Sequence, residues 1–217
     1  MNPKKKPNYD PKQILQDLMD AVVSIYTDGS NGAGTSLAAV ADELDLNPIK
    51  VRKLLITAGA YESTIADDVL KLRCRGCSVQ EIMQQMNLSR ASVNSYLPYT
   101  KLPYNAVEVS ANADRVRKFR ERNAAVEKLA AQPSFEQLWS AILLFQAYPF
   151  HTAKGLKFKY SVNGGEIKVD RKEKTITIAS VKMAYERARG GEITGPKKLG
   201  VFGASYLYPV FLRLGVV

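Results

Sequence analysis

The chain has 217 residues, with 31 lysines and arginines against 21 aspartates and glutamates, one histidine and two cysteines. An apolar fraction of 46% and a charged fraction of 24% fit a folded chain of one or two domains rather than a disordered one. Two cysteines cannot build a disulfide framework. A lone His151 argues against a His-based metal cluster or triad, so no cofactor, bound metal or catalytic residue is expected.

Residues 1–9, with four of the first dozen positions lysine and Pro3 and Pro7 among them, read as a flexible basic arm. The lysines lead into no apolar run, unlike a secretory signal. Asp10-Pro11 reads as an N-cap followed by proline at the first helical position. Ile14, Leu15, Leu18, Ala21, Val22 and Ile25 then recur at helical spacing. TDGSNGAG (27–34) is glycine-rich but lacks the phosphate-loop pattern and no strand precedes it, so it reads as a connection.

An internal repeat follows. SLAAVADELDLNPIKVRKLL (36–55) aligns without a gap on SVQEIMQQMNLSRASVNSYL (78–97). Ser36 meets Ser78, Leu46 meets Leu88, Val51 meets Val93 and Leu55 meets Leu97. Each copy reads as a short helix, a tight turn and a second helix. Ser36 and Asn47 cap the helices of the first copy, with Pro48 at the first helical position of the second helix. Ser78-Val-Gln-Glu81 is a capping box, and Ser89 caps the helix after it. The second copy, GCSVQEIMQQMNLSRASVNSYL, resembles the helix-turn-helix of the sigma-factor domain that reads upstream promoter elements. It is also similar to response-regulator and resolvase-type units. The shared pattern is Ser-x-x-Glu-Ile, then Leu-Ser-x-x-Ser-Val, then Tyr-Leu. The first copy is similar to the helix-turn-helix of winged repressors. These resemblances imply DNA binding with the second helix of each unit in the major groove; they do not extend to a full sigma factor.

On those second helices, Lys50, Arg52 and Lys53 are expected at phosphates. Arg90, Ser92, Asn94 and Ser95 are the exposed DNA-binding candidates of the second copy, of which Arg90 is expected to read guanine and Asn94 adenine. Cys74-Arg-Gly-Cys77 lacks two further zinc ligands and follows a helix (67–73), so it reads as ordinary buried thiols, with Gly76 ending that helix.

Residues 97–109 carry Pro98 and Pro103 and read as a linker. Asn112 is expected to cap a long helix reaching Ala131. Arg115, Arg117, Lys118, Arg120 and Arg122 crowd its polar side, of which Arg115, Lys118 and Arg122 are candidate phosphate contacts. PSFEQLWSAILLFQAYPF (133–150) reads as a capped, aromatic-rich helix, core or dimer surface; its Leu138–Tyr148 run is too short to cross a bilayer.

The period then changes to two. Leu156, Phe158, Tyr160 and Val162 alternate with Lys157, Lys159 and Ser161 as a half-buried strand. Asn163-Gly164 signals a hairpin turn, 166–170 returns, 175–178 adds a third strand, and 179–189 is helical. Lys157, Lys159 and Lys168 fall on the solvent face, with Arg171 and Lys172 at the turn. In order of elements this part is similar to the arm-binding domains of phage-type integrases, which lay a sheet in the major groove. The charge excess sits in this half. Residues 1–107 hold 12 basic and 11 acidic side chains, and residues 108–217 hold 19 and 10.

The expectation is an α+β protein with four parts. They are the arm (1–9), a tandem helix-turn-helix region (10–102), basic and aromatic linking helices (103–150), and a basic domain (151–217) built on a three-stranded antiparallel sheet plus helices. Its expected function is sequence-specific binding of double-stranded DNA in transcriptional regulation, in the cytoplasm and away from membranes. A homodimer and RNA polymerase stay open as further partners. Two alternatives also stay open. One is a metal-dependent nuclease built on Glu166 and Lys168 with Asp170 or Glu136. The other is a mobile-element replication or recombination factor, or a polymerase adaptor.

Overall fold

A computed structural model describes residues 10–28, 35–101 and 106–217. The expected basic arm lies outside the described residues. The architecture is α+β. In chain order the helices are α1 (Pro11–Thr27), α2 (Leu37–Leu44), α3 (Pro48–Thr57), α4 (Thr64–Cys74), α5 (Val79–Met86), α6 (Arg90–Tyr96), α7 (Ala106–Ala131) and α8 (Phe135–Leu144). Then come β1 (Phe150–His151), β2 (Lys157–Phe158), β3 (Tyr160–Asn163), β4 (Glu166–Val169), β5 (Ile176–Thr177), α9 (Ile178–Gly190), a 3-10 turn (Pro196–Leu199) and α10 (Ala204–Arg213). The chain forms two compact units, one ending at Arg117 and the other spanning Lys118–Val217, with α7 running through the division. This replaces the boundary expected near residue 150. Leu138, Ala141, Ile142 and Phe145 of the expected linking segment belong to the same core as the C-terminal sheet.

In the N-terminal unit both repeat copies gain a helix that the alignment does not include. Helix α1 packs on α2 and α3, and α4 packs on α5 and α6. The second bundle closes over Val69, Ile82 and Val93, one buried residue from each of its helices. The caps are those the sequence predicts. Side chains of Ser36, Asn47 and Ser89 accept from the amides of Ala39, Ile49 and Ser92, at 3.2, 2.8 and 3.1 Å. Asp45 and Asn87, which occupy equivalent positions, both take the left-handed conformation, with φ of 50° and 51°. Each is followed by leucine and then the next cap, so the two copies share a three-residue turn. Short polar side chains tolerate this conformation better than branched ones. The thiols are not both buried as expected: Cys74 is exposed at the end of α4 and Cys77 is half-buried. Gly76 ends that helix at φ 88°, as predicted.

Helix α7 starts six residues before the expected cap, so Asn112 lies inside the helix and is buried. Its Oδ1 accepts from Arg115 Nη1 at 3.2 Å. Helix α8 stops at Leu144 rather than running to residue 150. Pro149 disfavours helical dihedrals at Tyr148, and Ala147 turns to φ 60° with its amide on the Tyr160 carbonyl at 2.9 Å.

The C-terminal unit carries a three-stranded antiparallel sheet in the order β3-β4-β5, as expected, and a separate two-stranded ladder, β1 with β2. The strand expected as one run over 156–162 is thus split at Lys159. The β3–β4 turn is centred on Gly164-Gly165, one residue later than predicted. Both residues have positive φ (54° and 85°), and Asn163 pairs with Glu166. A two-residue turn of this kind needs positive φ at both centres, which two glycines adopt without steric cost. Phe158, Tyr160, Ile167, Val169 and Ile176 point into the core, against Leu207 and Val210 of α10. Tyr160 Oη donates to the Ile142 carbonyl at 2.7 Å, fixing α8 to the sheet. Burial pushes the Tyr160 phenol well above its ordinary pKa.

The capping box at α5 is reciprocal. The Ser78 amide donates to Glu81 Oε2 at 2.6 Å, and the Glu81 amide donates to Ser78 Oγ at 3.2 Å. These bonds hold the Glu81 carboxyl below the usual value. Ser78→Ala should lower unfolding stability by about 1 kcal/mol in urea titrations at neutral pH. The carboxylate's share is present above the ordinary glutamate pKa and is lost as pH falls through the lowered folded value. The penalty of Glu81→Gln should therefore vanish in acid.

Candidate nucleic-acid interface

Helix α6 is seven residues long and is capped by Ser89. Val93 anchors it in the bundle core, and Arg90, Ala91 and Asn94 are exposed. Ser92 is half-buried, and its Oγ lies 2.9 Å from Ser89 Oγ. The outward surface of this helix therefore offers a guanidinium and a carboxamide one turn apart. These two groups can each make paired hydrogen bonds to a purine edge.

Helix α3 presents its cations differently. Arg52 donates from Nη1 to Ser95 Oγ at 3.2 Å, and its guanidinium lies over the Tyr96 ring at 4.8 Å and the Tyr61 ring at 5.9 Å. Lys53 Nζ donates to the Asn94 carbonyl at 2.9 Å. Burial, and then the charge of Lys101, lower the Lys53 pKa. Lys50 Nζ sits 5.4 Å from the centre of the Tyr99 ring. Arg52, Lys53 and Ser95, expected at DNA, thus join α3 to α6. That contact also packs together the two helices each expected in the major groove. Packed helices lie about 8–10 Å apart, whereas recognition helices serving successive major grooves are about 34–36 Å apart. No sequence signal marked Tyr61, Tyr96 and Tyr99 as the ring partners of these cations.

Two arginines of α7 are likewise internal fittings. Arg115 Nε donates to the Asp45 carbonyl at 3.1 Å, bracing the α2–α3 turn. Arg122 is only 8% exposed, with its guanidinium 5.7 Å from the Phe145 ring centre and 5.1 Å from that of Tyr148. This removes Arg122 from the candidate phosphate contacts: buried against two rings, it serves the core of the C-terminal unit. Lys118 is exposed on the same helix.

No family model, curated protein or solved structure matches the chain. The geometry of the two units therefore carries the functional argument.

In the C-terminal unit the alternation holds. Lys157, Lys159 and Lys168 are exposed while Phe158, Tyr160, Ile167 and Val169 are buried. Lys168 lies across from Ser161, and the Asp170 amide donates to the Lys159 carbonyl at 3.0 Å. Arg171 and Lys172 are exposed in the turn after β4; Arg171 Nη1 also donates to the Lys157 carbonyl at 3.2 Å. The face is mixed, because Glu166 and Asp170 flank Lys168 on it. Glu166 Oε2 accepts from Thr175 Oγ1 at 2.9 Å. Glu136 lies in the first turn of α8, where its pKa is lowered first by its own backbone amide and then by Ser134. Among the described residues no three His, Cys, Asp or Glu side chains come close enough together to hold a metal ion. Nor, among those residues, is any helix long and apolar enough to cross a membrane.

Arg122→Ala should therefore act on folding, lowering the stability of the C-terminal unit by about 1–3 kcal/mol in chemical denaturation. Arg90→Ala, at an exposed position, should change stability by less than about 0.5 kcal/mol.

Proposed function

We propose that the protein binds double-stranded DNA with sequence preference and acts as a transcriptional regulator. The observation that carries this reading is the exposed pair Arg90 and Asn94 on a capped helix held by a three-residue turn. A helix of this kind fits the major groove, where Arg reads guanine and Asn reads adenine through paired hydrogen bonds. The C-terminal sheet supplies affinity without sequence information. Lys157 in β2, Lys159 just after it and Lys168 in β4 are all exposed, and such ammonium groups suit backbone phosphates.

The test is a titration of the full chain against its preferred duplex. Arg90→Ala and Asn94→Ala should each weaken binding by about 1–3 kcal/mol and relax base preference at the position each side chain reads. Unchanged preference in both variants would refute the reading.

Replacing Lys157, Lys159 and Lys168 together by glutamine should weaken specific and random duplexes alike. It should also reduce the slope of log K against log salt by about 0.9 for each phosphate that is no longer neutralised. A triple variant with the full slope would exclude the sheet face from DNA binding.

A further inference from the structure

The contacts between α3 and α6 are related by the repeat itself. At the 42-residue offset Arg52 is equivalent to Asn94, Lys53 to Ser95, and Thr57 to Tyr99. Arg52 meets Ser95 at 3.2 Å, and Lys53 meets the Asn94 carbonyl at 2.9 Å. These are the same two positions with the copies exchanged. The Tyr99 amide donates to Thr57 Oγ1 at 2.7 Å, so one position meets its own equivalent. Exchange of partners, with self-pairing nearby, is the mark of a self-complementary two-fold contact.

The two helices are not chemically equal, however. The equivalent of Arg90 in α3 is Pro48, and the equivalent of Ala91 is Ile49, which is 53% exposed. The equivalent of Asn94 is Arg52, whose guanidinium is held over Tyr96. The outward turn of α3 therefore begins Pro48-Ile49, with no side-chain hydrogen-bonding group at either position. Distinguishing bases in the major groove depends largely on donors and acceptors.

Resting on the DNA-binding reading above, we infer that the N-terminal unit is a dimer-like pair of three-helix bundles fused in one chain, in which base reading is confined to α6. Helix α3 is the positioning partner that holds α6 by its flank. The DNA site is then one uninterrupted, non-palindromic element, bound by a single N-terminal unit. Two half-sites a helical turn apart are not expected, because the second helix is packed against the first.

Selection of the full chain against a random pool of duplex DNA tests this. The expected result is a single ungapped, asymmetric motif. Arg90→Ala combined with Asn94→Ala should erase it, while Ile49→Gln should recover the same motif at temperatures where the variant is folded. Recovery of two half-sites, inverted or direct, would overturn the inference, and so would a changed motif in Ile49→Gln. No enrichment of any sequence by the folded chain would instead overturn the DNA-binding reading on which it rests.

Discussion

The N-terminal half depends on one contact, the packing of α3 against α6. Each three-helix bundle is small. The second closes over a small cluster of buried side chains, Val69, Ile82 and Val93. A bundle of this size buries little apolar surface, and small domains are correspondingly marginal. The α3–α6 contact joins the two bundles with hydrogen bonds from cations and with rings stacked beneath them. Arg52 suits this role, because a planar guanidinium can lie flat on Tyr96 while one nitrogen reaches Ser95 Oγ. The same contact sets which surface is left outward. It takes the flank of α6 at Ser95 and leaves Arg90, Ala91 and Asn94 exposed.

What was legible in the sequence was local. The caps at Ser36, Asn47, Ser78 and Ser89 depend on residues within three positions of one another, so pattern alone places them. The alternation from Lys157 to Val169 is local in the same sense, since the pleat alternates side chains between faces. The destinations of the cations were not legible. Arg52 and Lys53 stand on the polar side of a helix, and a polar side reads the same whether it meets water, phosphate or a neighbouring helix. Arg122 shows this most sharply. It stands in a run of five basic residues within eight positions, yet its side chain is buried on Phe145 and Tyr148. A long aliphatic stem and a flat head make arginine compatible with either place.

Other departures have equally specific causes. The run of aromatic and aliphatic residues from Phe135 to Phe150 carries a helical period, but the helix stops at Leu144, Ala147 turns to positive φ, and Phe150 enters β1. In that strand Phe150 stacks on Phe158 and Tyr160, with ring centres 5.7 and 5.8 Å apart. A two-residue strand leaves almost no periodic trace, and its existence follows from these rings rather than from pattern. The third helix of each bundle escaped the repeat because α1 and α4 keep different spacings to the helices that follow them. Fold class was thus readable from period and caps, whereas the candidate interface required knowing which cations the fold itself engages.

The central claim is that Arg52 and Ser95 hold α3 to α6, and a double-mutant cycle on unfolding free energy tests it most directly. Arg52→Ala, Ser95→Ala and the pair would be compared by urea denaturation of the full chain. The account predicts a coupling energy between about 0.5 and 3 kcal/mol, as for side chains in direct contact. Effects that add to within about 0.3 kcal/mol would show that the two residues do not interact. The assignment of α6 as the single reading helix would then be without its structural basis.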